Sequence, residues 1–337
     1  MTDTIDLSVL ILFFNRPDKL QKVFEAVRMA RPSRLFLYQD GPRGEQDLEK
    51  IYACRKIVEN IDWPCQVARN YQEKNAGCDP SGYNAHRWAF SQTDSCLVLE
   101  DDVVPTKSYF RFCSELLNKY KDDERIGMIT GFNYDEVTAD ISADYFFTRA
   151  FISMGWASWS RVVNNWQGDY SFWKNSESRK QILEKIKKYN LKNEYPKIFQ
   201  DHCNSGKAYF ETIFQAHMLL HDQLSIVSRV NMINNIGFGT DSTHMEQEID
   251  TLPKRYRKIY TMKSFNMDFP LKHPHDITDN NAYKERVYLI QAWNHPFRKI
   301  CYSLEELTYS LMKGNFRHIA KSLKNRIRKT LGLKRYC

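Results

Sequence analysis

Short apolar runs alternate with amphipathic segments throughout the first half of this 337-residue chain. The runs LSVLILFFN (residues 7–15), RLFLYQDG (34–41) and CLVLE (96–100) have apolar centres, as expected of strands buried on both faces of a sheet. Between them lie segments with the apolar spacing of helices, such as the one that begins at Pro17. This alternation predicts an α/β fold built on a doubly wound, mostly parallel sheet.

Polar side chains stand where these runs end. Asn15 and Arg16 follow the first run, Asp40 ends the second, and an acidic triplet (Glu-Asp-Asp at 100–102) follows the third. Ligands of such sheets bind beyond the carboxyl ends of the strands, so these residues mark the expected site. Three adjacent acids repel one another, which leaves two interpretations: a solvated turn, or a site for Mg²⁺ or Mn²⁺. The sequence has no GxGxxG, GxxxxGK[ST] or GxSxG motif, so dinucleotide, P-loop and hydrolase chemistry lose their best support.

The net charge of +8 is concentrated at the C-terminus. Nine of the 49 basic residues follow Glu306 and no acid does, which leaves 40 basic against 41 acidic residues in the rest of the chain. Residues 313–337, the basic tail, also carry apolar residues at helical spacing: Phe316, Ile319, Ala320, Leu323, Ile327 and Leu331. This pattern predicts a basic amphipathic helix that binds an anionic membrane surface. A helix packed on the body is the alternative, and the near-neutral body argues against nucleic-acid binding.

The sequence also indicates a compartment. No run approaches 18 apolar residues, and the acidic N-terminus with its short apolar run is unlike a signal peptide. The eight cysteines form no CxxC pair and no disulfide framework, as in reduced cytosolic proteins. We therefore expect a cytoplasmic protein, held peripherally at the inner face of the cell membrane by the basic tail.

Five motifs, in order, carry a resemblance to a known family: VLILFFNRPDKL, LFLYQDGPR, CLVLEDDVVPTKSYFRFCSELLNKY, MGWASWSR and NMINNIGFGTDSTH. Together they resemble the bacterial sugar-nucleotide glycosyltransferases related to the N-acetylglucosaminyltransferase that starts complex N-glycans, and the glycosyltransferase family two-like group. Those enzymes have a GT-A fold, a Rossmann-like doubly wound sheet, with EDD as their version of the DxD motif. The resemblance spans roughly residues 7–244, about 70% of the chain.

The resemblance implies an inverting, metal-dependent glycosyltransferase. It would move a hexosyl or N-acetylhexosaminyl group from a nucleotide-diphosphate sugar, with a UDP-sugar favoured, to a lipid-linked or surface-polysaccharide glycan. Its cofactor would be Mn²⁺ or Mg²⁺, with Asp102 as the direct ligand. Glu100 and Asp101 correspond to groups that contact ribose and organise the site. Arg16 and Asp40 correspond to the pair that holds the base and ribose at the strand ends.

Further site residues follow from the same resemblance. Gly155 and Trp156 match the loop that lies against the donor sugar, and Asn15 joins the nucleotide-binding end of the first strand. Arg87 lies near the diphosphate by family position, with a surface helix residue as the alternative. His244 occupies the place where many GT-A enzymes present a late histidine to the metal or the diphosphate.

The catalytic base is predicted from a departure from the family pattern. Relatives carry Trp-Asp or Trp-Asp-Asp ahead of the NIGFG segment, and Phe210–Glu211 aligns best with it. Glu211 is therefore the candidate base, since a carboxylate must take the proton of the attacking hydroxyl. A Glu211 that only caps or solvates a helix is the alternative, with Asp201 and Asp222 as reserve candidates.

Two other patterns admit a functional and a structural interpretation. His217 and His221 are four residues apart, a spacing that can bind zinc, but no HExxH motif or obvious third ligand accompanies them. A tryptophan series could stack on sugars or fill the core, with Trp156 favoured for the sugar. The series comprises Trp156, Trp159, Trp166 and Trp173.

The predicted organisation has four parts. Residues 1–135 form the nucleotide-sugar-binding half and 136–250 the donor-sugar and acceptor half of one GT-A domain. Residues 251–312 are a C-terminal extension and 313–337 the helical basic tail. Two rival functions remain: a nucleotidyltransferase, although FFNRPDKL lacks the Gly-rich basic loop such enzymes place after the first strand, and an inactive GT-A subunit of an assembly complex.

Overall fold

The structure is a computed structural model that describes residues 4–237, 249–316 and 319–320. Its strands are β1 (Ile5–Phe13), β2 (Pro32–Gln39), β3 (Gln66–Tyr71), β4 (Ser95–Glu100), β5 (Val103–Pro105), β6 (Ile126–Thr130), β7 (Tyr145–Thr148), β8 (Trp156–Trp159), β9 (Leu224–Ser228) and β10 (Ile233–Asn235). Its helices are α1 (Pro17–Ala30), α2 (Leu48–Val58), α3 (Cys78–Phe90), α4 (Lys107–Lys119), α5 (Ser160–Val163), α6 (Ser171–Lys174), α7 (Ser176–Lys188), α8 (Tyr195–Ser205), α9 (Phe210–Leu220), α10 (Lys254–Thr261), α11 (Asn281–Gln291) and α12 (Pro296–Met312). Short 3₁₀ turns at Glu45–Asp47 and Ile249–Thr251 precede α2 and α10.

The main sheet has eight strands in the order β3-β2-β1-β4-β8-β6-β9-β7. All of them run in the same direction except β8, which is antiparallel to β4 and β6, and β7, which is antiparallel to β9. Helices flank this sheet in two groups: α1, α2 and α4 pack together, whereas α3 packs with α5 and α9. The predicted doubly wound, mostly parallel α/β architecture is confirmed.

The central position of β1 explains its continuous apolar run. Val9 pairs with Leu35 of β2 on one side and with Leu97 of β4 on the other, and all three side chains are buried. A strand with neighbours on both sides and helices over the sheet has no wet face that would require alternating polar residues. Because β1, β2 and β4 are adjacent and parallel, their carboxyl ends meet at one edge of the sheet.

The reversed strand β8 brings a later segment to that same edge. Trp156, its first residue, pairs with Val98 of β4 and Thr130 of β6. An antiparallel strand starts where its parallel neighbours end. The loop before β8 therefore lies beside the residues that follow β4.

The chain divides into two compact units. The first comprises Met1–Gly237 and Met262–Val287 and contains the main sheet. The second comprises Phe238–Thr261 and Tyr288–Cys337 and contains α10 and α12. The C-terminal helix α12 ends at Met312, and most of the basic tail that the sequence predicts as helical lies outside the described residues. Within the described part of the chain, no helix is long and apolar enough to cross a membrane.

Candidate active site

Arg16 joins the ends of β1 and β4 through two acidic side chains. Its Nη1 donates to Oδ2 of Asp102 at 2.8 Å, its Nε donates to Oδ2 of Asp101 at 3.3 Å, and its Nη2 also donates to Asp101. Burial would lower the pKa of Arg16, but the two carboxylates outweigh it and raise that pKa above its ordinary value. The protein thus supplies part of the positive charge that three adjacent acids require.

Asp102 lies between this guanidinium and a small second sheet. Val103 of β5 pairs with Asn235 of β10, and the backbone N–H of Ile236 then donates to the Asp102 carbonyl at 2.8 Å. A Cβ at Gly237 would lie 2.2 Å from Oδ2 of Asp102, so only a glycine lets the backbone approach the carboxylate this closely. The sheet and the glycine together fix the position of Asp102.

The donor set around Asp102 fits a divalent cation that is bound largely by a ligand. Among the described residues, Oδ1 of Asp102 accepts no hydrogen bond, and the side chain keeps 13% of its area exposed. No group of three or more His, Cys, Asp or Glu side chains suited to a metal ion occurs in the described parts of the chain. One carboxylate is nevertheless a normal protein contribution for Mg²⁺ when phosphates complete its coordination. The other predicted metal residue, His244, lies outside the described residues.

Glu100 and Glu211 lie within electrostatic range of each other, although they are far apart in the sequence. Both side chains are solvent-exposed, yet burial among protein atoms is the main cause of their raised pKa values. Burial, reinforced by Asp102, Glu211 and Asp101, raises the pKa of Glu100 to about 8. Burial, reinforced by Asp79, raises the pKa of Glu211 to about 7.

The first turn of α3 lies near the same two glutamates. Cys78 is exposed, and burial raises the pKa of its thiol to about 12, with Glu100, Asp79 and Glu211 adding to the effect. Cys78 therefore lies close to both glutamates, and Asp79 lies close to Glu211. The sequence analysis missed this pair; the available signal was a Gly-Cys-Asp start of a helix shortly after the carboxyl end of a strand.

Asp40 shapes the neighbouring loop. Its carboxylate accepts backbone hydrogen bonds from Gly41 (2.9 Å), Ala76 (2.9 Å) and Gly77 (3.1 Å), and a side-chain bond from Asn75 (2.9 Å). Burial raises the pKa of Asp40 in spite of these bonds. Both oxygens are used to hold the loop before α3 against the end of β2, and contact with a ribose stays a prediction.

Asn15 takes part in a second network at the end of β1. Its Nδ2 donates to Oδ1 of Asp47 at 2.7 Å. Asp47 also accepts from Nε (2.8 Å), Nη2 (2.7 Å) and the backbone N–H (3.0 Å) of Arg43, whose side-chain bonds are the main reason that the pKa of Asp47 falls to about 2. The Arg43 guanidinium in turn lies 5.0 Å from the ring centroid of Phe14. Sequence analysis identified Asn15 but neither Asp47 nor Arg43.

The loop before β8 approaches the small sheet through Gly155. This residue has φ 53°, and a Cβ there would lie 2.3 Å from Cδ1 of Ile233 and 2.9 Å from Cγ1 of Val103. Its carbonyl accepts a hydrogen bond from the Tyr109 hydroxyl at 2.7 Å. Gly155 is thereby fixed beside the strand that follows Asp102, and its contact with a donor sugar stays a prediction.

The side chain of Trp156 turns away from this edge into the core. Its ring is 1% exposed and packs against His86, Phe90 and Phe214, with centroid distances of 5.1, 6.1 and 5.0 Å. A ring enclosed in this way presents no face to a ligand, which corrects the expectation that Trp156 stacks on a sugar. The other tryptophans of the series are also buried: Trp159, Trp166 and Trp173.

Arg87 has a structural contact in this fold. Its Nη1 donates to the carbonyl of Val163 at 3.0 Å, which ties α3 to the last residue of α5. A contact with the diphosphate stays a prediction.

The His217 and His221 pair lies at the C-terminal end of α9. The centroids of the two rings are 4.3 Å apart, and burial lowers the pKa of His217 to about 3. No third zinc ligand joins them within the described residues.

The two reserve candidates for the base are engaged in other interactions. Asp201 forms an exposed ion pair with Lys197 at 2.7 Å. Asp222 accepts a hydrogen bond from the Tyr189 hydroxyl at 2.9 Å and pairs with Arg149 at 3.0 Å. None of these contacts involves the acidic triplet.

Comparison with known proteins identifies no family for the chain. No family model and no curated protein matches it. Among solved structures it is similar to 4-diphosphocytidyl-2C-methyl-D-erythritol synthase from Anaerococcus prevotii, with 12% identity, a TM-score of 0.30, and coverage of 47% of this chain and 73% of that one. It is also similar to apo mouse xyloside xylosyltransferase 1, with 11% identity, a TM-score of 0.32, and coverage of 64% and 81%. At this level of similarity, function must be argued from the residues of the chain itself.

Proposed function

We propose that the chain is a GT-A glycosyltransferase that moves a sugar from a nucleotide-diphosphate donor to a hydroxyl of a glycan acceptor. One observation carries the proposal: Glu211, at the start of α9, lies close enough to the acidic triplet for its charge to raise the pKa of Glu100. A metal–diphosphate site and a base are the two parts that inverting transfer requires, and the acidic triplet and Glu211 would supply them.

The charge balance around Glu100 favours a bound cation. Glu100 interacts with three further carboxylates, those of Asp101, Asp102 and Glu211, and with one guanidinium, that of Arg16. When bound at Asp102, Mn²⁺ or Mg²⁺ would neutralise the charge that develops on the departing diphosphate. Arg16 holds the carboxylates of Asp101 and Asp102 in position for this, so little reorganisation accompanies binding.

Glu211 has the properties of a general base. A base works best when its pKa lies near the operating pH, and that of Glu211 is raised to about 7. In its ionised form, the Glu211 carboxylate can take the proton of an acceptor hydroxyl. The glutamate also remains solvent-exposed, so an acceptor can reach it.

The finer assignments belong to the same proposal. We favour a UDP-sugar donor, contacts of Asn15, Arg16, Asp40, Gly155 and Arg87 with it, and His244 as a second metal or diphosphate contact. The acceptor we favour is a lipid-linked or surface-polysaccharide glycan at the cytoplasmic face of the membrane. The cationic composition of residues 313–337 supports that location, because such a segment is attracted to anionic lipid.

Nucleotide-sugars tested with Mn²⁺ or with a chelator provide the experiment. We expect at least one of them to raise the melting temperature and to be hydrolysed slowly, only in the presence of the metal. Asp102→Asn should abolish both effects and lower turnover at least about 100-fold, because a metal supplies several kcal/mol of charge stabilisation. The matched control is Asp122→Asn, which removes an exposed carboxylate elsewhere in the first unit.

Each rival function gives a different result in this experiment. A nucleotidyltransferase would release pyrophosphate from a nucleoside triphosphate and a sugar phosphate, and would leave nucleotide-sugars intact. An inactive subunit would bind a nucleotide-sugar without hydrolysing or transferring it. Full activity of Asp102→Asn with Mn²⁺ would contradict the role given to the acidic triplet.

A further inference from the structure

One face of α12 exposes a row of large apolar side chains. Phe297, Ile300, Leu304, Leu307 and Leu311 are between 42% and 84% exposed. Their spacing of three and four residues places them along one side of the helix, and we name them the α12 stripe. At 1.5 Å per residue the stripe is about 21 Å long. Contiguous exposed apolar surface of this kind marks a binding surface.

The opposite face of α12 packs against other segments of the second unit, so the stripe faces away from them. The Tyr302 hydroxyl donates to the carbonyl of Ile290 at 3.0 Å, and Glu305 accepts from the backbone N–H of Lys254 at 3.0 Å. The Arg257 guanidinium lies 5.2 Å from the ring centroid of Tyr309. All of these contacts lie within the second unit, so α12 cannot rotate to bury the stripe without breaking them.

All four charged residues of α12 lie away from the stripe: Arg298, Lys299, Glu305 and Glu306. Lys299 and Glu306 are seven residues apart and share one side of the helix, and so do Arg298 and Glu305, which leaves the stripe itself without charge. Lys313 follows the helix and pairs with Asp250 at 3.0 Å, and the sequence beyond it contains eight more basic residues and no acid. An acid-free apolar face that continues into a strongly basic segment is complementary to an anionic lipid surface.

We propose that the α12 stripe docks on an anionic membrane surface, with α12 lying in the interface plane. This surface precedes the basic tail and lies in the C-terminal extension, for which the sequence pattern predicted no role. It adds an apolar, salt-resistant component to binding. The proposal does not rest on the glycosyltransferase activity, because lipid binding is measured without turnover.

A second copy of the chain fits the stripe less well. The stripe covers only two heptads, whereas coiled coils are indicated by three or four heptads with charged flanking positions. The positions that flank it are uncharged: Cys301, Ser303, Thr308 and Ser310. Two parallel copies would also bring two basic tails together, and like charges repel.

Vesicle co-sedimentation of the full chain tests the proposal. Phosphatidylcholine vesicles with and without phosphatidylglycerol should be compared at low salt and at about 0.5 M salt, where exposed charges are screened. We expect Leu304→Gln with Leu307→Gln to lower binding to the anionic vesicles at least about tenfold at both salt concentrations, since each exposed leucine contributes buried apolar area. The control is Met29→Gln with Leu183→Gln, which removes exposed apolar side chains from α1 and α7 and should leave binding unchanged.

Three results would overturn the proposal. The first is equal vesicle binding by the stripe variant and the unmodified chain at high salt. The second is a lipid-free dimer in analytical ultracentrifugation that the stripe variant converts to a monomer, which would make a second copy the occupant. The third is a melting temperature of the stripe variant well below that of the control, which would show that the chain itself covers the stripe.

Discussion

Replacing Arg16 by leucine should remove a large share of the stability of the first unit. Arg16 donates two hydrogen bonds to Asp101 and one to Asp102, and the Asp101 side chain is only 3% exposed. Removing one partner of a buried pair costs about 3–5 kcal/mol, because the other charge is left uncompensated. Arg16 keeps 17% exposure and Asp102 13%, so water can solvate part of what remains. We therefore expect a loss of about 3 kcal/mol, a large fraction of the 5–15 kcal/mol typical of a domain.

Urea unfolding at pH 7, followed by tryptophan fluorescence, measures this loss. Six of the seven tryptophans belong to the first unit, so the signal reports mainly on the unit that contains Arg16. The matched control is Arg28→Leu, which breaks an exposed pair with Asp62 and should cost much less, because water screens exposed ion pairs. Adding Asp101→Asn to Arg16→Leu should recover part of the loss, since the uncompensated charge is removed. A cost for Arg16→Leu no larger than that of the control would refute the reasoning.

Two further predictions concern Asp102 and Glu211. Gly237→Ala should displace the Asp102 carboxylate, which lies 2.2 Å from the added Cβ, and weaken metal-dependent nucleotide binding at least about tenfold. Calorimetric titration measures this affinity, with Gly44→Ala as the control because the nearest atoms to its Cβ are at the end of the Gln46 side chain. Equal affinities of the two variants would contradict the prediction. Stability should also depend on pH through Glu211, whose pKa in the folded chain is about 7, against roughly 4.3 when unfolded. The folded state then binds more protons between these values, so the contribution of Glu211 to stability should fall as pH rises from about 4.5 to 7. Urea midpoints of the unmodified chain and of Glu211→Gln measure that contribution, and an identical pH dependence in both would count against it.

The order of strands and helices in the first half of the chain could be predicted from the sequence, because local residue patterns determine each element. The buried run of β1 and the start of α1 at Pro17 were predicted, and the structure has both. Parallel strand order then placed Arg16 beside the acidic triplet, because adjacent parallel strands end at one edge. For these features, the apolar periodicity of the sequence and the parallel order of the strands are enough to predict the structure.

Other features depend on contacts between distant segments, which no local pattern encodes. Asp40 is occupied by backbone N–H groups of residues 76 and 77, and Trp156 is enclosed by rings from α3 and α9. Cys78 and Asp79 meet Glu211 only after α3 and α9 pack together. The α12 stripe was missed for a different reason: its spacing was visible, but exposure depends on which face packs, and Tyr302 and Glu305 decide that.

The rate of sugar transfer by Glu211→Gln tests the central claim most directly. This change keeps the size and exposure of the side chain but removes the proton acceptor, so single-turnover transfer should fall by roughly 10²–10⁴, the usual contribution of a general base. Affinity for the nucleotide-sugar should stay within a few-fold, and Glu184→Gln, an exposed glutamate on α7, should change neither quantity. Weak donor binding with an unchanged rate constant would contradict the claim and show that Glu211 is structural.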